Sequence, residues 1–467
     1  MIYLSSFYRR DFLQLNINKK ISVIGAGISG QGLALLAKNL GYDVFVSEQK
    51  NINDETKNLF TQNNINFEEG HSNKVFENVS EILVSAGISP KAEILLKAQE
   101  LNIKIIGELD FVIPHIKSNK IICVTGSNGK STVTSLIGYI LNKAGLKAGA
   151  GGNLGTASAK FTQEKYDAVV LELSSFQLER ANNNLRSCVS IITNLAPDHI
   201  DWHGSYENYV KAKAKILNLR DKNAFGIIQD RDVKLLNPSG NIITLSWNET
   251  PEHKFSGHIY MAEDKAFLIL NGEKIKLFDY SDTNLIGSHN FENVAMSLTA
   301  LNLLGLKNLP ESKILLDGFK ALPHRCEFAG ELNGVIYIDD SKGTNVAASI
   351  TAMKSINKRK IIILGGQGKG EIYNELAQTV KEECDGAVLI GEEANKIKLA
   401  LENAGFDKKN IFMAGSSMEE AVNISVRIAK PGMCVLLSPA CTSWDMYKSY
   451  KIRGEHFCKL VQEKIKN

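Results

Sequence analysis

A glycine-rich turn between an apolar run and a helical pattern contains the residue types of a phosphate cradle. Gly126 and Gly129 would let backbone N–H groups converge, and the start of the following helix adds partial positive charge. Lys130 would reach the terminal phosphates of a nucleotide, and the hydroxyl of Ser131 or Thr132 would meet a magnesium ion. The standard motif has a glycine five positions before Gly129, where this chain has valine, so the loop is a shortened variant. A turn whose glycines serve only backbone geometry is the alternative, but the pattern favours nucleotide binding.

A second glycine-rich turn lies nearer the amino terminus and has the spacing G-x-G-x-x-G from Gly25 to Gly30. It follows a short apolar strand, and Glu48 ends the next predicted strand about 20 residues on, where dinucleotide-binding folds contact a ribose. Alone, this motif is weak evidence for a dinucleotide site. The segment is also short for such a domain, because the other phosphate loop begins near Ile121. We interpret it as an α/β domain that binds a nucleotide-like group.

Acidic and imidazole side chains follow two predicted strands of the central segment. Glu172 ends one strand, and Asp198 and His199 come directly after another. Ligands of open parallel sheets bind beyond the carboxyl ends of the strands, so these groups are expected beside the phosphate loop. His199 could instead cap a loop. Lys213 lies on a lysine-rich predicted helix, where the pattern by itself favours a solvated face. A run of small residues over positions 149–155 is interpreted as a turn.

Polar groups also end three predicted strands of the carboxyl-terminal segment, at residues 339–342, 365–369 and 438–443. Three such ends on one sheet indicate a binding edge, although helix caps and turns would explain any one of them.

The length and composition indicate a soluble protein of three domains. At about 150 residues per domain, 467 residues suggest three, and we place them at 1–112, 113–321 and 322–467. Each is predicted to be an α/β domain with a mainly parallel sheet and flanking helices. The net charge of +3 gives no reason to expect a nucleic acid or an anionic membrane as partner. The seven cysteines are scattered, which is typical of free thiols in a reducing compartment. The sequence has no long apolar run and no signal-peptide core, so we predict a cytoplasmic protein.

In their order along the chain, these motifs resemble those of the Mur ligases of peptidoglycan synthesis, and the resemblance covers nearly the whole chain. The segments that carry it are residues 126–132, 152–155, 171–177, 194–199, 289–293, 322–325, 339–345 and 437–443. The shortened phosphate loop is the form that this family has. Gly343, Trp444 and Tyr450 depart from the family pattern.

The resemblance implies an ATP-dependent reaction that joins D-glutamate to UDP-N-acetylmuramoyl-L-alanine. A carboxylate is a poor electrophile, so the γ-phosphoryl group is first transferred to it, and the amine then attacks the acyl phosphate. Phosphoryl transfer depends mainly on positioning and charge neutralisation. The implied partners are these small molecules alone, with no nucleic acid and no membrane, and the implied state is a monomer.

The resemblance also assigns roles to individual residues. Those implied in catalysis are Lys130, Glu172, His199 and Lys213. Those implied to hold two Mg²⁺ ions are Ser131, Asn153, Glu172, His199 and Lys213, the last as a carbamate. Those implied to bind ATP are Gly126, Ser127, Asn128, Gly129, Lys130, Ser131, Thr132, Asn290, Asn293, Arg325 and Asp340. Those implied to bind the UDP substrate are Gly27, Ile28, Ser29, Glu48, Asn153, Ser174 and Gln177. Those implied to bind D-glutamate are Lys342, Thr344, Lys369, Ser443 and Tyr450.

Three other functions fit parts of the pattern. A sister ligase for another amino acid, or a folate-polyglutamate ligase, is the nearest alternative. An NAD-linked oxidoreductase with a fused regulatory NTPase would use the first glycine turn for hydride chemistry. A non-enzymatic nucleotide switch would leave the polar strand ends of the last domain without a use.

Overall fold

The computed structural model describes residues 19–153, 155–285, 287–306, 310–320 and 322–466. Within these residues three sheets follow one another along the chain, and each is mainly parallel with helices against it. The predicted fold class is therefore confirmed. None of the described helices is long and apolar enough to cross a membrane.

The first sheet has five parallel strands in the order β3-β2-β1-β4-β5. Its strands are β1 (Lys20–Ile24), β2 (Asp43–Glu48), β3 (Asn66–Glu69), β4 (Val79–Val84) and β5 (Lys104–Gly107). The helices that accompany it are α1 (Ile28–Asn39), α2 (Asp54–Gln62), α3 (Glu93–Glu100) and α4 (Glu108–Val112). The glycine turn joins β1 to α1, so it lies at the carboxyl edge of the central strand.

The second sheet has nine strands in the order β14-β13-β12-β11-β10-β9-β6-β8-β7. The strands are β6 (Ile121–Thr125), β7 (Ala148–Gly152), β8 (Ala168–Glu172), β9 (Ser187–Ile192), β10 (Phe225–Gln229), β11 (Ile242–Ser246), β12 (Gly257–Met261), β13 (Lys265–Leu270) and β14 (Glu273–Asp279). The pairs β12–β13 and β13–β14 are antiparallel, and the rest of the sheet is parallel. All five residues of β6 are buried, as expected for a central parallel strand covered on both faces.

Seven helices belong to the described part of this second unit. They are α5 (Lys130–Lys143), α6 (Ser175–Arg180), α7 (Ile200–His203), α8 (Tyr206–Asn218), α9 (Val233–Leu236), α10 (Ser288–Leu303) and α11 (Ser312–Leu316). Helix α5 starts directly after the phosphate loop, and α6 starts three residues after Glu172, the last residue of β8.

The turn predicted for the small residues at 149–155 is wrong for its first part, because residues 148–152 form the edge strand β7. The small side chains are needed for packing. A Cβ atom on Gly149 would lie 2.6 Å from the ring of Phe161, and one on Gly151 would lie 2.7 Å from the carbonyl oxygen of Thr156. Leu154, in the same predicted turn, lies outside the described residues.

The third sheet has six strands in the order β15-β16-β20-β17-β18-β19, and only the β15–β16 pair is antiparallel. The strands are β15 (Glu327–Leu332), β16 (Val335–Asp339), β17 (Lys360–Gly365), β18 (Cys384–Ile390), β19 (Ile411–Gly415) and β20 (Cys434–Leu437). The helices are α12 (Val346–Ser355), α13 (Asn374–Glu383), α14 (Ala394–Asn403), α15 (Met418–Ile428) and α16 (Tyr450–Lys466).

The predicted domain boundaries fall between the sheets, after Val112 at the end of α4 and before Leu322. The boundary positions themselves stay a prediction. Residues 1–18 of the predicted first domain, and Ala321 at the end of the predicted second, lie outside the described residues.

Candidate active site

The phosphate loop runs from the end of β6 to the start of α5 and requires glycine at two positions. Gly126 has φ +143°, and a Cβ atom there would lie 2.0 Å from Thr193 Oγ1. Gly129 has φ +84°, and a Cβ atom there would lie 2.5 Å from Asn293 Oδ1. Both positions combine a left-handed backbone with a close neighbour, so any side chain would move the loop away from its partners.

Two lysine amines meet at one carbonyl oxygen of this loop. Lys130 Nζ donates to the Gly126 carbonyl oxygen at 2.8 Å and to that of Ser127 at 2.8 Å. Lys213 Nζ donates to the same Gly126 oxygen at 2.8 Å. Lys213 is only 2% exposed, so the solvated face that its helix pattern favoured is wrong. Burial, followed by the charge of Lys130, holds the pKa of Lys213 well below the usual range for lysine.

A carboxylate with an unused oxygen lies beside the start of α5. Glu172 is 2% exposed, and its Oε1 accepts from Asn153 Nδ2 at 2.9 Å. Its buried Oε2 has no hydrogen-bond partner among the described residues. Despite burial, the pKa of Glu172 is lowered, with the charge of Lys130 and the Asn153 hydrogen bond favouring the carboxylate. A buried anionic oxygen without a donor suits a metal ion.

His199 and Asp198 occupy the turn before α7. His199, with φ +52° in the left-handed region, occupies the N-cap position of this short helix, and its side chain makes no capping hydrogen bond. Burial lowers its pKa to about 4, which leaves a neutral imidazole that can bind a metal. Asp198 Oδ1 forms an ion pair with Lys369 Nζ at 2.9 Å, and both side chains are 10% exposed.

Two cations of the third domain reach the hydroxyl of Ser131 at the start of α5. Arg325 Nη2 donates to Ser131 Oγ at 3.0 Å, and Lys342 Nζ donates to it at 3.4 Å. The ammonium of Lys342 also lies 5.0 Å from the centre of the Tyr450 ring. Burial, followed by the charge of Arg325, lowers the pKa of Lys342 to about 7. The third sheet therefore brings positive charge to the phosphate loop.

A cleft between the second and third sheets opens beside these groups. The predicted ATP residues that line it are Asn128, Gly129, Thr132, Asn290, Asn293, Arg325 and Asp340. Arg325 Nε is buried and has no hydrogen-bond partner within the described part of the chain. Burial raises the pKa of Asp340 to about 7, although Ser438 Oγ donates to its Oδ2 at 2.6 Å.

Family models and known relatives match most of the chain. Residues 20–94 match the MurD N-terminal domain, residues 124–301 the Mur ligase middle domain, and residues 324–441 the Mur ligase glutamate ligase domain. A UDP-N-acetylmuramoylalanine–D-glutamate ligase of Bacteroides thetaiotaomicron is 34% identical over 95% of this chain and 100% of its own. The corresponding ligase of Clostridioides difficile is 35% identical over 94% of this chain and 97% of its own. The chain belongs to the Mur ligase family.

Solved structures of other Mur-type ligases have the same fold as this Mur ligase. The superposition on UDP-N-acetylmuramate–alanine ligase of Thermotoga maritima covers 95% of this chain and 99% of that protein, with a TM-score of 0.59 and 18% sequence identity. The superposition on a pseudomurein peptide ligase type C of Methanothermus fervidus covers 96% of this chain and 100% of that protein, also with a TM-score of 0.59 and 18% sequence identity.

The residues predicted for the UDP substrate are divided over two regions of the Mur ligase. Glu48 Oε2 accepts from the backbone N–H of Ala26 at 2.7 Å, so this carboxylate supports the glycine turn. Ile28 is exposed at the start of α1. Ser174 and Gln177 bond to each other as a capping box at the start of α6.

Of the residues predicted for D-glutamate, Lys342 and Lys369 contact Ser131 and Asp198 of the central domain, and the Tyr450 ring lies beside the Lys342 ammonium. Thr344 lies in the same loop as Lys342 and donates its backbone N–H to the Lys342 carbonyl at 2.8 Å. Ser443 is buried after β20, and its carbonyl accepts from the N–H groups of Met446 and Tyr447.

Sequence reasoning missed two residues that hold the phosphate loop. The Asn194 amide accepts from the Asn128 N–H at 3.0 Å and donates to the Asn128 carbonyl at 3.0 Å. The Tyr209 hydroxyl shares a hydrogen bond of 2.9 Å with that of Ser127, which therefore anchors the loop. Asn194 follows β9 in the position of a strand-end polar group, which was the available signal. Nothing in the sequence singled out Tyr209.

Proposed function

We propose that this Mur ligase joins D-glutamate to UDP-N-acetylmuramoyl-L-alanine and converts ATP to ADP and phosphate. The names of its full-length relatives support the substrates. The observation that carries the chemistry is that Arg325 and Lys342 both donate to the Ser131 hydroxyl, while the charge of Lys130 favours the carboxylate form of Glu172. Such a set of cations beside one carboxylate suits the transfer of a phosphoryl group to an acid.

ATP would lie in the cleft between the second and third domains. Its phosphates would follow the phosphate loop, and the Lys130 amine would exchange the loop carbonyls for phosphate oxygens. Arg325, whose Nε has no partner, would turn from Ser131 to the same phosphates. The substrate carboxylate would then attack the γ-phosphorus, and ADP would leave as the acyl phosphate forms. The amine of D-glutamate would attack the acyl carbon, and phosphate and a proton would be released.

The residues around Glu172 fit Mg²⁺, because its unpartnered Oε2 and the Ser131 hydroxyl are oxygen donors of the kind this ion prefers. We assign one ion to Ser131 and Glu172, and a second to His199 and Asn153. When bound, the ions would neutralise charge on the phosphate and carboxylate oxygens during transfer. Lys213 would contribute as a carbamate, and its lowered pKa favours the neutral amine that carbamate formation requires.

The other substrates would approach from either side of this centre. We assign the diphosphate of the UDP substrate to the turn at Gly27, Ile28 and Ser29. D-Glutamate, with two carboxylates, would bind between Lys342, Lys369 and Tyr450, together with Thr344 and Ser443. We place the reaction in the cytoplasm, because all seven cysteines are free thiols. We also propose that the enzyme is a monomer.

The test is phosphate release from ATP and Mg²⁺ in the presence of UDP-N-acetylmuramoyl-L-alanine and a panel of amino acids. D-Glutamate should stimulate release, and L-glutamate, glycine and L-lysine should not. Stimulation by another amino acid, or by a folate in place of the UDP substrate, would assign the chain to a sister activity.

A further inference from the structure

Glu108, at the start of α4, is a buried carboxylate that none of the assigned roles uses. It is 5% exposed and lies next to the predicted boundary between the first and second domains. Three donors from three different elements converge on its two oxygens. A buried carboxylate that loses its hydrogen-bond donors costs free energy. Glu108 therefore holds the three elements that supply its donors in one arrangement.

The donors come from both sides of the boundary. Ser29 Oγ, in the first turn of α1, donates to Glu108 Oε2 at 2.5 Å. Ser158 Oγ, in the 3-10 turn after β7, donates to Oε1 at 2.6 Å. Gln177 Nε2, on α6, donates to Oε2 at 3.0 Å. Ser29 and Gln177 are both among the residues predicted to bind the UDP substrate, one in each domain, so the Glu108 carboxylate connects the two sets.

The bond to Gln177 also fixes the direction of its amide. While Nε2 donates to Glu108, the opposite atom, Oε1, accepts from the Ser174 backbone N–H at 2.9 Å and from Ser174 Oγ at 3.1 Å. A reversed amide would place two donors against each other at Ser174. Ser174 is two residues beyond Glu172, the proposed metal ligand. The orientation of the Gln177 amide therefore affects the position of Glu172 through the backbone at the start of α6.

We propose that Glu108 is a positioning residue that fixes the UDP-substrate loop of the first domain relative to Glu172 of the second. This inference rests on the proposed function. Glu108 would touch neither substrate nor metal. It would act through Ser29 and Gln177, setting the distance between the substrate carboxylate and the γ-phosphate.

The substitution Glu108→Gln tests this, because it preserves size and removes acceptors. An amide has one acceptor oxygen and introduces a donor, so it cannot accept from all three partners. Where its N–H group faces Gln177, the Gln177 amide would have to reverse in order to accept from it. We expect kcat to fall between about tenfold and a hundredfold, the size of a small misplacement of reacting groups. The ADP dissociation constant, measured by equilibrium binding, should remain that of the wild type.

The double variant Glu108→Gln/Gln177→Glu should recover much of this loss. The introduced amide at position 108 would donate to the introduced carboxylate at 177, which still accepts from Ser174, and glutamate is well suited to that capping position. Gln177→Glu alone should lower kcat, because two carboxylates would then face each other. The two single effects should therefore not add. The matched control is Asp110→Asn on the same helix. Within the described part of the chain, this carboxylate accepts from the backbone N–H groups of Asn182 and Asn183, which lie beyond the end of α6. It should keep wild-type kcat.

The proposal would be overturned if Glu108→Gln had wild-type kcat. It would also be overturned if the effects of the two substitutions on kcat simply added in the double variant. Recovery of the melting temperature but not of kcat in the double variant would also overturn it, since Glu108 would then be only structural. If Glu108→Gln does not fold, Glu108→Asp is the second variant, because it keeps the carboxylate but shortens the side chain. Wild-type kcat in Glu108→Asp would also overturn the proposal. A wild-type enzyme without D-glutamate-dependent phosphate release would contradict the proposed function instead.

Discussion

At the scale of single residues, the Gly126 carbonyl has an unusual set of neighbours. It accepts from the amines of Lys130 and Lys213, and two full positive charges at one buried oxygen would repel each other strongly. Lys213 has less access to water, and its pKa is lowered well below the usual range. A lowered pKa favours loss of the proton, and the neutral amine would then add to CO₂, forming an N–C bond and releasing a proton. The resulting carbamate would be an anionic oxygen ligand of the kind that Mg²⁺ prefers.

We therefore expect Lys213→Ala to lose most ligase activity while still binding the UDP substrate. A short carboxylic acid added to this variant should restore part of the rate, because it can occupy the vacated ligand position. Lys213→Arg should be as inactive as the alanine variant, since it keeps the charge but cannot be carbamylated. The measurements are phosphate release and equilibrium binding of the UDP substrate.

Lys211 is the matched control, because it is exposed on the same helix, and Lys211→Ala should leave activity unchanged. Lys215 is a poorer control, since its amine bonds the carbonyls of Glu179 and Ala181 at the end of α6. Near wild-type turnover in Lys213→Arg would show that only a positive charge is required there.

At the scale of elements, the segment before β15 depends on a buried ion pair. His324, with φ +62°, bonds Asp339 Oδ2 through Nδ1 at 2.7 Å, and its backbone N–H bonds Glu327 Oε2 at 2.8 Å. The Asp339 hydrogen bond raises the pKa of His324, and Glu327 and Glu455 add to this. The thiol of Cys458 donates to the same Asp339 oxygen at 3.4 Å.

A raised pKa in the folded state means that this pair stabilises the third domain most at low pH. The contribution is complete below the unfolded value of about 6.5 and is lost as pH rises through the higher folded value. His324→Gln should therefore lower the melting temperature more at about pH 6 than at about pH 9. An equal loss at both pH values for His324→Gln would contradict the ion pair.

The elements themselves were largely predictable, because apolar runs and glycine turns are local signals. The strand before Gly126, the strand end at Glu172 and the helix of Lys213 were all expected from short patterns. The burial of Lys213 was not, since its neighbours Thr125 and Gly126 are 88 and 87 residues away. The strand β7 was mistaken for a turn because its glycines are required by Phe161, a contact that sequence spacing does not reveal.

At the scale of the whole molecule, the third domain is closed on the second. Lys369 and Asn345 both bond Asp198, and Arg325 and Lys342 reach Ser131. Closure brings these three cations of the third domain toward Lys130. Their mutual repulsion is offset within the protein by Asp198 and Glu172, and the phosphates of ATP would offset it further.

We therefore expect the third domain of the ligand-free enzyme to move away as a rigid body, with its hinge near residues 321–324, of which Ala321 lies outside the described residues. X-ray scattering should give a larger radius of gyration without ligand than with an ATP analogue and Mg²⁺. UDP alone is the control, since it would bind the first domain and leave the cations of the cleft unneutralised. Higher salt should reduce the difference, because screening weakens the same repulsion. Scattering curves that coincide with and without the ATP analogue would show that the closed arrangement does not depend on nucleotide charge.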